Sequence, residues 1–183
     1  FDEFEKFTGV TVISQQAFEN CSALESIRWG ANVVSIGAGC FGSCTSLTKI
    51  GDLTNVSILP NAVFARCANL HIAINMPNLE SIQGTQTFNS SGLDCIQDLG
   101  RITAIPMYFA QNNTSLRYAI LPDTLESFTA GGIFTGCSSL QAVVCKATTP
   151  PAMTNANTFS NTNNCPIYVP DTFISAYQVA TNW

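Results

Sequence analysis

A phenylalanine returns about every 23 residues along this chain. Phe18, Phe41, Phe64, Phe88, Phe109, Phe134 and Phe159 are separated by 23, 23, 24, 21, 25 and 25 residues. Three residues after four of them stands a cysteine, at Cys21, Cys44, Cys67 and Cys137, and three further on a leucine, at Leu24, Leu47, Leu70 and Leu140. Another apolar residue then follows, as at Ile27, Ile50 and Val143. A unit of this length with roughly seven apolar positions cannot bury them by itself, whereas neighbours stacked on one another turn them into continuous ladders. The pattern therefore predicts a β-rich solenoid of about six repeats, with right-handed coils of about 23 residues, short parallel strands and helical turns.

Local patterning divides each coil. Ser26-Ile27-Arg28-Trp29 alternates outward and inward as a short strand does, and its equivalents are expected to pair in parallel along one face. Val33-Val34-Ser35-Ile36 reads as a second extended segment, and Gln15 to Cys21 as a turn or a single turn of helix. Ser91 and Asn112 take the cysteine position in the repeats of Phe88 and Phe109. Expected boundaries are a lid over 1–10 built on Phe1, Phe4 and Phe7, repeats over 11–170 and a cap over 171–183, all within one domain. In the cap, Asp171 is placed to begin a helix whose Phe173, Ile174, Tyr177, Val179 and Ala180 form an apolar stripe ending near Trp183.

Composition narrows the function. Charged residues make up 10% of the chain and hydrophobic ones 46%, against roughly 25% charged in an average soluble domain. The net charge of -5 offers no basic patch, which argues against nucleic acid as a partner. No apolar run approaches the ~20 residues of a membrane span, and no signal-peptide pattern opens the sequence.

With these residues in view, the chain resembles the BspA-type leucine-rich repeats, the Treponema pallidum class, of exported proteins in Bacteroides-like bacteria. The resemblance covers about residues 8–170. It rests on Phe7-Thr8-Gly9-Val10-Thr11-Val12-Ile13, Ala17-Phe18-Glu19-Asn20-Cys21-Ser22-Ala23-Leu24 and Phe134-Thr135-Gly136-Cys137-Ser138-Ser139-Leu140, and the ending Ile167-Tyr168-Val169-Pro170 is also similar. It implies a leucine-rich-repeat fold and an extracytoplasmic, secreted or cell-surface protein. A role in adhesion to a host-matrix or other bacterial surface protein is implied in the same way.

The chemistry-bearing residues form no catalytic grouping. His71 is the single histidine, the acids are scattered, and no glycine run precedes the Lys-Ser or Lys-Thr of a phosphate loop. The periodic cysteines should point inward, about 4.8 Å apart along the stack, where parallel side chains hold the Cβ atoms beyond the ~3.8 Å of a disulfide. Buried free thiols are the expectation, with Cys145 and Cys165 the pair to test first for a bridge. Cys40 and Cys44 share a helical spacing without a histidine or fourth cysteine to complete a metal site. No cofactor is expected.

Binding is therefore the favoured function, through the outward positions of the strands. Arg28 and Lys49 make the early coils polar and mildly basic, whereas Arg117, Tyr118, Ile120 and Val144 place a cation beside apolar groups on the later ones. Such a patch marks a protein contact. The competing readings are a structural spacer within a larger surface protein and a carbohydrate-binding module, the latter requiring exposure of Trp29 or Tyr108, both expected to be buried.

Overall fold

The computed structural model describes residue 6 and residues 8–183, so the expected lid of Phe1, Phe4 and Phe7 lies outside the described residues. The chain winds as a parallel β-solenoid, each coil contributing a few residues to each of two faces. On one face β4 (Ala73–Asn75), β6 (Cys95–Asp98), β8 (Tyr118–Leu121), β10 (Ala142–Cys145) and β12 (Ile167–Tyr168) form a five-stranded parallel sheet in that order. Among the described residues the earlier coils meet on this face at an isolated bridge, Ser26 to Lys49, rather than in a continuous strand pair. The other face carries three smaller parallel sheets: β1 (Val12–Ile13) with β2 (Ser35–Ile36), β3 (Ile58–Pro60) with β5 (Ser81–Gln83), and β7 (Ala104–Ile105), β9 (Ser127–Phe128) and β11 (Ala152–Met153).

The turn joining the faces repeats down to its hydrogen bonds. The amides of Phe18, Phe41 and Phe64 donate to the carbonyls of Cys40, Val63 and Thr87 one coil later, each at 2.9 Å. Two residues beyond the phenylalanine in six coils, and three beyond Phe109 in the other, the backbone is left-handed: Asn20, Ser43, Arg66, Ser90, Asn112, Gly136 and Asn161 have φ of 61, 62, 61, 53, 59, 77 and 58°. Asparagine and glycine adopt that conformation readily, but Ser43, Arg66 and Ser90 do so only at a cost. Its recurrence means that the stacked turn, rather than local preference, sets the backbone.

This ladder corrects one register. The Phe88 amide donates to the Phe109 carbonyl at 2.8 Å and the Ala110 amide to that of Ile133 at 2.9 Å, so Ala110, not Phe109, stands in the phenylalanine column. The left-handed Asn112 agrees, since it lies two residues beyond Ala110. The exchange is a packing solution. Phe18, Phe41, Phe64 and Phe88 stack nearly face to face with centroids 5.3 to 5.5 Å apart, whereas Phe109 meets Phe88 edge-on at 88° and fills the space left by the small Ala110 side chain. The cysteine position of that coil is accordingly Asn113 rather than Asn112. Asn113 is fully buried; its Nδ2 donates to the carbonyls of Phe88 and Ala110, and its Oδ1 accepts from Ser91.

The C-terminal cap also differs in detail. Asp171 lies within a 3-10 turn, Asp171–Phe173, and α1 spans only Ile174–Val179 with Phe173 at its N-cap and no side-chain cap bond. Val179 is 85% exposed, so the stripe does not run the length of the helix. Tyr177 and Trp183 close the stack instead: the tyrosine hydroxyl donates to the Ala147 carbonyl at 2.8 Å, the indole to that of Pro151 at 2.8 Å, and the two rings meet edge to face at 4.8 Å.

Two substitutions probe this core from opposite sides. Phe64→Ala removes a fully buried ring between two stacked neighbours and should cost about 3–5 kcal/mol. Thr87 is fully buried and its hydroxyl has no hydrogen-bond partner among the described residues. Thr87→Val should therefore stabilise by about 1 kcal/mol, the cost of stranding a polar group being removed. Urea titration of both variants checks the two signs.

Candidate binding surface

Alternation along the strands decides which side chains face outward. In β8, Ala119 and Leu121 are buried, while Tyr118 is 37% exposed and Ile120 is half-buried. Val144 in β10 is 36% exposed. It pairs with Ile120 on one side and Tyr168 of β12 on the other. Rungs of a parallel sheet lie about 4.8 Å apart, so Ile120, Val144 and Tyr168 form a continuous apolar row, with Tyr118 one step earlier along its strand. Tyr168 is 57% exposed, the most open aromatic of the patch. It was not among the expected contact residues, although the reading of 165–170 as a final strand and simple alternation both point it outward.

The six expected contact residues separate into two groups. Tyr118, Ile120 and Val144 come together, and the exposed Arg117 precedes Tyr118, its amide bonded to the Asp94 carbonyl at 2.9 Å. Arg28 and Lys49 are exposed but lie in the first two coils, outside the five-stranded sheet. Lys49 stands about three rungs, roughly 14 Å, before Tyr118. Between Ala73 and Tyr118 on the same row is Cys95, which faces outward yet is only 4% exposed and stands apart from the core cluster.

The aromatic residues proposed for stacking on sugars are placed otherwise. Trp29 is 4% exposed, stacks on Phe41 at 5.6 Å and donates from its indole to the Asp52 carbonyl at 2.7 Å. Tyr108 is half-buried in a left-handed turn, with φ of 59°.

All eight cysteines are free thiols. Cys145 turns toward the cap, its Sγ 3.3 Å from the Tyr177 hydroxyl, so it is not bridged to Cys165. In the repeat column Cys44, Cys67 and Cys137 donate to the carbonyls of Phe18, Phe41 and Ala110 in the preceding coil at 3.0, 3.0 and 3.1 Å. Their role is thus a polar tie between coils as well as a small apolar filler. Cys21 departs from the expected inward column and is exposed, because no repeat precedes its coil among the described residues. Burial pushes the Cys67 and Cys137 thiols up to about 12 and that of Cys44 to about 11, which suppresses the reactive thiolate. Among the described residues no three His, Cys, Asp or Glu side chains gather as a metal site. His71 is exposed and meets Asp94 at 3.3 Å.

A stack of parallel coils that spends its periodic side chains on the interior and leaves one sheet face uncovered defines a repeat scaffold. The particular kind follows from comparison: the chain belongs to the BspA-type leucine-rich-repeat family, whose model matches residues 1–117 and 103–180 in six copies. Three solved structures share the fold. A leucine-rich repeat protein from Bacteroides ovatus is 23% identical with a TM-score of 0.58, over 75% of this chain and 37% of its own. A leucine-rich cell surface protein from Faecalibacterium prausnitzii is 22% identical with a TM-score of 0.59, over 96% of this chain and 55% of its own. The leucine-rich repeat protein of Treponema pallidum is 18% identical with a TM-score of 0.59, over 92% of this chain and 76% of its own. The chain thus spans about a third to a half of the first two. No curated protein matches it significantly. Among the described residues no helix is long and apolar enough to cross a membrane.

The thiol arrangement yields a pH-dependent prediction. Raised folded-state values mean that unfolding releases these protons, so the stabilisation is complete below the ordinary value of 9.0 and is lost as pH rises through about 12. Urea midpoints should fall over that interval, and less so in the Cys67→Ala variant. At neutral pH a thiol reagent should label Cys21 in the native protein and the column thiols only after denaturation.

Proposed function

We propose that this chain is a non-catalytic recognition or adhesion module of an extracytoplasmic protein, secreted or held at the cell surface, that binds a protein ligand through the outer face of the sheet β4–β6–β8–β10–β12. Membership in a leucine-rich-repeat family supports an interaction role, such families being generally non-catalytic. The observation that carries the reading is the row of exposed Tyr118, Val144 and Tyr168 with the half-buried Ile120 beside them on one sheet, whereas the other exposed large apolar side chains are Val12, Val34 and Ile58 in or beside strands of the other face and Ile174 and Val179 in the C-terminal helix. Aromatic residues ringed by polar surface are the side chains that most often anchor protein interfaces. Arg117 beside Tyr118 supplies a cation at the rim, and Arg28 and Lys49 extend the same edge toward the first coils as a weaker, electrostatic part of the contact. The expected division into a lid over 1–10, repeats over 11–170 and a cap over 171–183 belongs to the same reading, the whole acting as one domain.

The carbohydrate alternative loses its best residue with the burial of Trp29. A spacer would need no apolar row on its surface, and Tyr118 and Val144 count against it.

An array of host-matrix and bacterial surface proteins, probed with the soluble domain, tests the proposal. Tyr118→Ala and Val144→Asp should each weaken the captured ligand by tenfold or more, about 1.4 kcal/mol or greater, with the melting temperature little changed. Undiminished capture by the double variant refutes the sheet as the binding face.

A further inference from the structure

A repeat protein allows its coils to be compared with one another, and departures that stacking does not require are the informative ones. At one corner of the solenoid three successive coils place an asparagine: Asn32, Asn55 and Asn78 donate to the carbonyls of Thr8, Ala31 and Thr54 in the coil before, at 2.8, 2.8 and 3.0 Å. Two coils later Thr124 ties itself to the Ile102 carbonyl at 2.9 Å. Between them the position is Arg101. Its backbone amide donates to the Leu79 carbonyl at 2.8 Å, while among the described residues no hydrogen bond or ion pair engages its guanidinium. The arginine is not needed for the stack.

Arg101 borders a cleft of about 360 Å³ beyond the C-terminal ends of β6, β8 and β10, lined also by Asp98, Asp123, Lys146 and the apolar-row residue Ile120. The chain has only 7 Lys and Arg and 12 Asp and Glu, and four of them line this one cleft. They do not neutralise one another: among the described residues none of the four is ion-paired, and Asp98 is held by the Gly100 amide at 2.8 Å. Glu80 lies on the other side of Arg101, in the adjoining notch. A ligand of one charge entering here meets attraction and repulsion in similar measure. A ligand bearing both signs side by side gains from both.

We infer that this cleft is the specificity pocket of the binding face, taking a segment of the partner protein in which a cationic and a carboxylate side chain stand together next to an apolar anchor. The inference rests on the reading of the sheet as a binding face. Ile120 joins the two: the anchor lies along Ile120, Val144 and Tyr168 while the paired charges enter the cleft among Asp98 and Arg101 of one coil, Asp123 of the next and Lys146 of the one after. The cleft supplies selection between partners more than affinity, because partly exposed ion pairs contribute little individually.

Two capped peptides make the test, acetyl-Phe-Lys-Glu-amide and its uncharged counterpart acetyl-Phe-Gln-Gln-amide, titrated into the protein and followed by the amide resonances of Gly100, Tyr118, Val144 and Lys146. The charged peptide should bind about fivefold tighter at low salt, with shifts at Gly100 and Lys146. The margin should vanish at high salt. Arg101→Asn, which returns the corner to the residue of the three earlier coils, should erase most of that margin while leaving the melting temperature unchanged or raised. Equal binding of the two peptides, with shifts at Tyr118 and Val144, overturns the cleft and leaves the sheet standing. A lowered melting temperature with the margin intact makes Arg101 structural and also overturns it. Absence of shifts at Tyr118 and Val144 with either peptide refutes the binding face itself.

Discussion

The structure depends on one backbone bond made over and over: the amide in the phenylalanine column donating to the carbonyl just before the next member of that column, one coil later. From Phe18 to Phe134 these bonds measure 2.8 to 2.9 Å. Their constancy fixes how each coil sits on its neighbour. With the turn so fixed, the phenylalanines stack, the leucines align, and the thiols of Cys44, Cys67 and Cys137 reach the preceding coil. Cohesion in such a molecule is a sum of neighbour-to-neighbour terms. A polar or misfitting group therefore costs stability locally, as the unpartnered Thr87 hydroxyl does, and its neighbours adjust, as Phe109 does by turning edge-on beside Ala110.

The same arithmetic frees the outer faces. Because the coils are held by backbone bonds and inward side chains, nothing in the stack dictates the residues at Tyr118, Ile120, Val144 and Tyr168. Apolar side chains there cost solvation without contributing to the core, and occupation by a partner is the account that gives them a purpose. Arg101 follows similar logic at the corner, where asparagine and threonine serve the stack and arginine does not.

Much of this was legible in the sequence because the period is written in large, buried side chains. Column residues, parallel strands and the outward positions of Tyr118 and Val144 all followed from spacing and alternation. The exchange of Ala110 for Phe109 did not, since a ring one residue out of register looks identical in a list of phenylalanines. Only the hydrogen bonds and the left-handed Asn112 reveal it. The cap was read as a longer helix because its apolar residues suit a helical stripe, and the 3-10 turn at Asp171–Phe173 shortened it. The charged cleft was missed for a different reason: Asp98, Arg101, Asp123 and Lys146 are up to 48 residues apart in the chain and meet only through coil stacking.

The central claim, that the face bearing Tyr118 is the one that meets a partner, is tested most directly by site-specific photocrosslinking. A crosslinking amino acid is placed at Tyr118 in one sample and at Ser81, on the opposite face, in another, and both are irradiated with the same mixture of candidate surface and matrix proteins. Covalent capture from Tyr118 but not from Ser81 is the predicted result. Capture from Ser81 with none from Tyr118 would contradict the account.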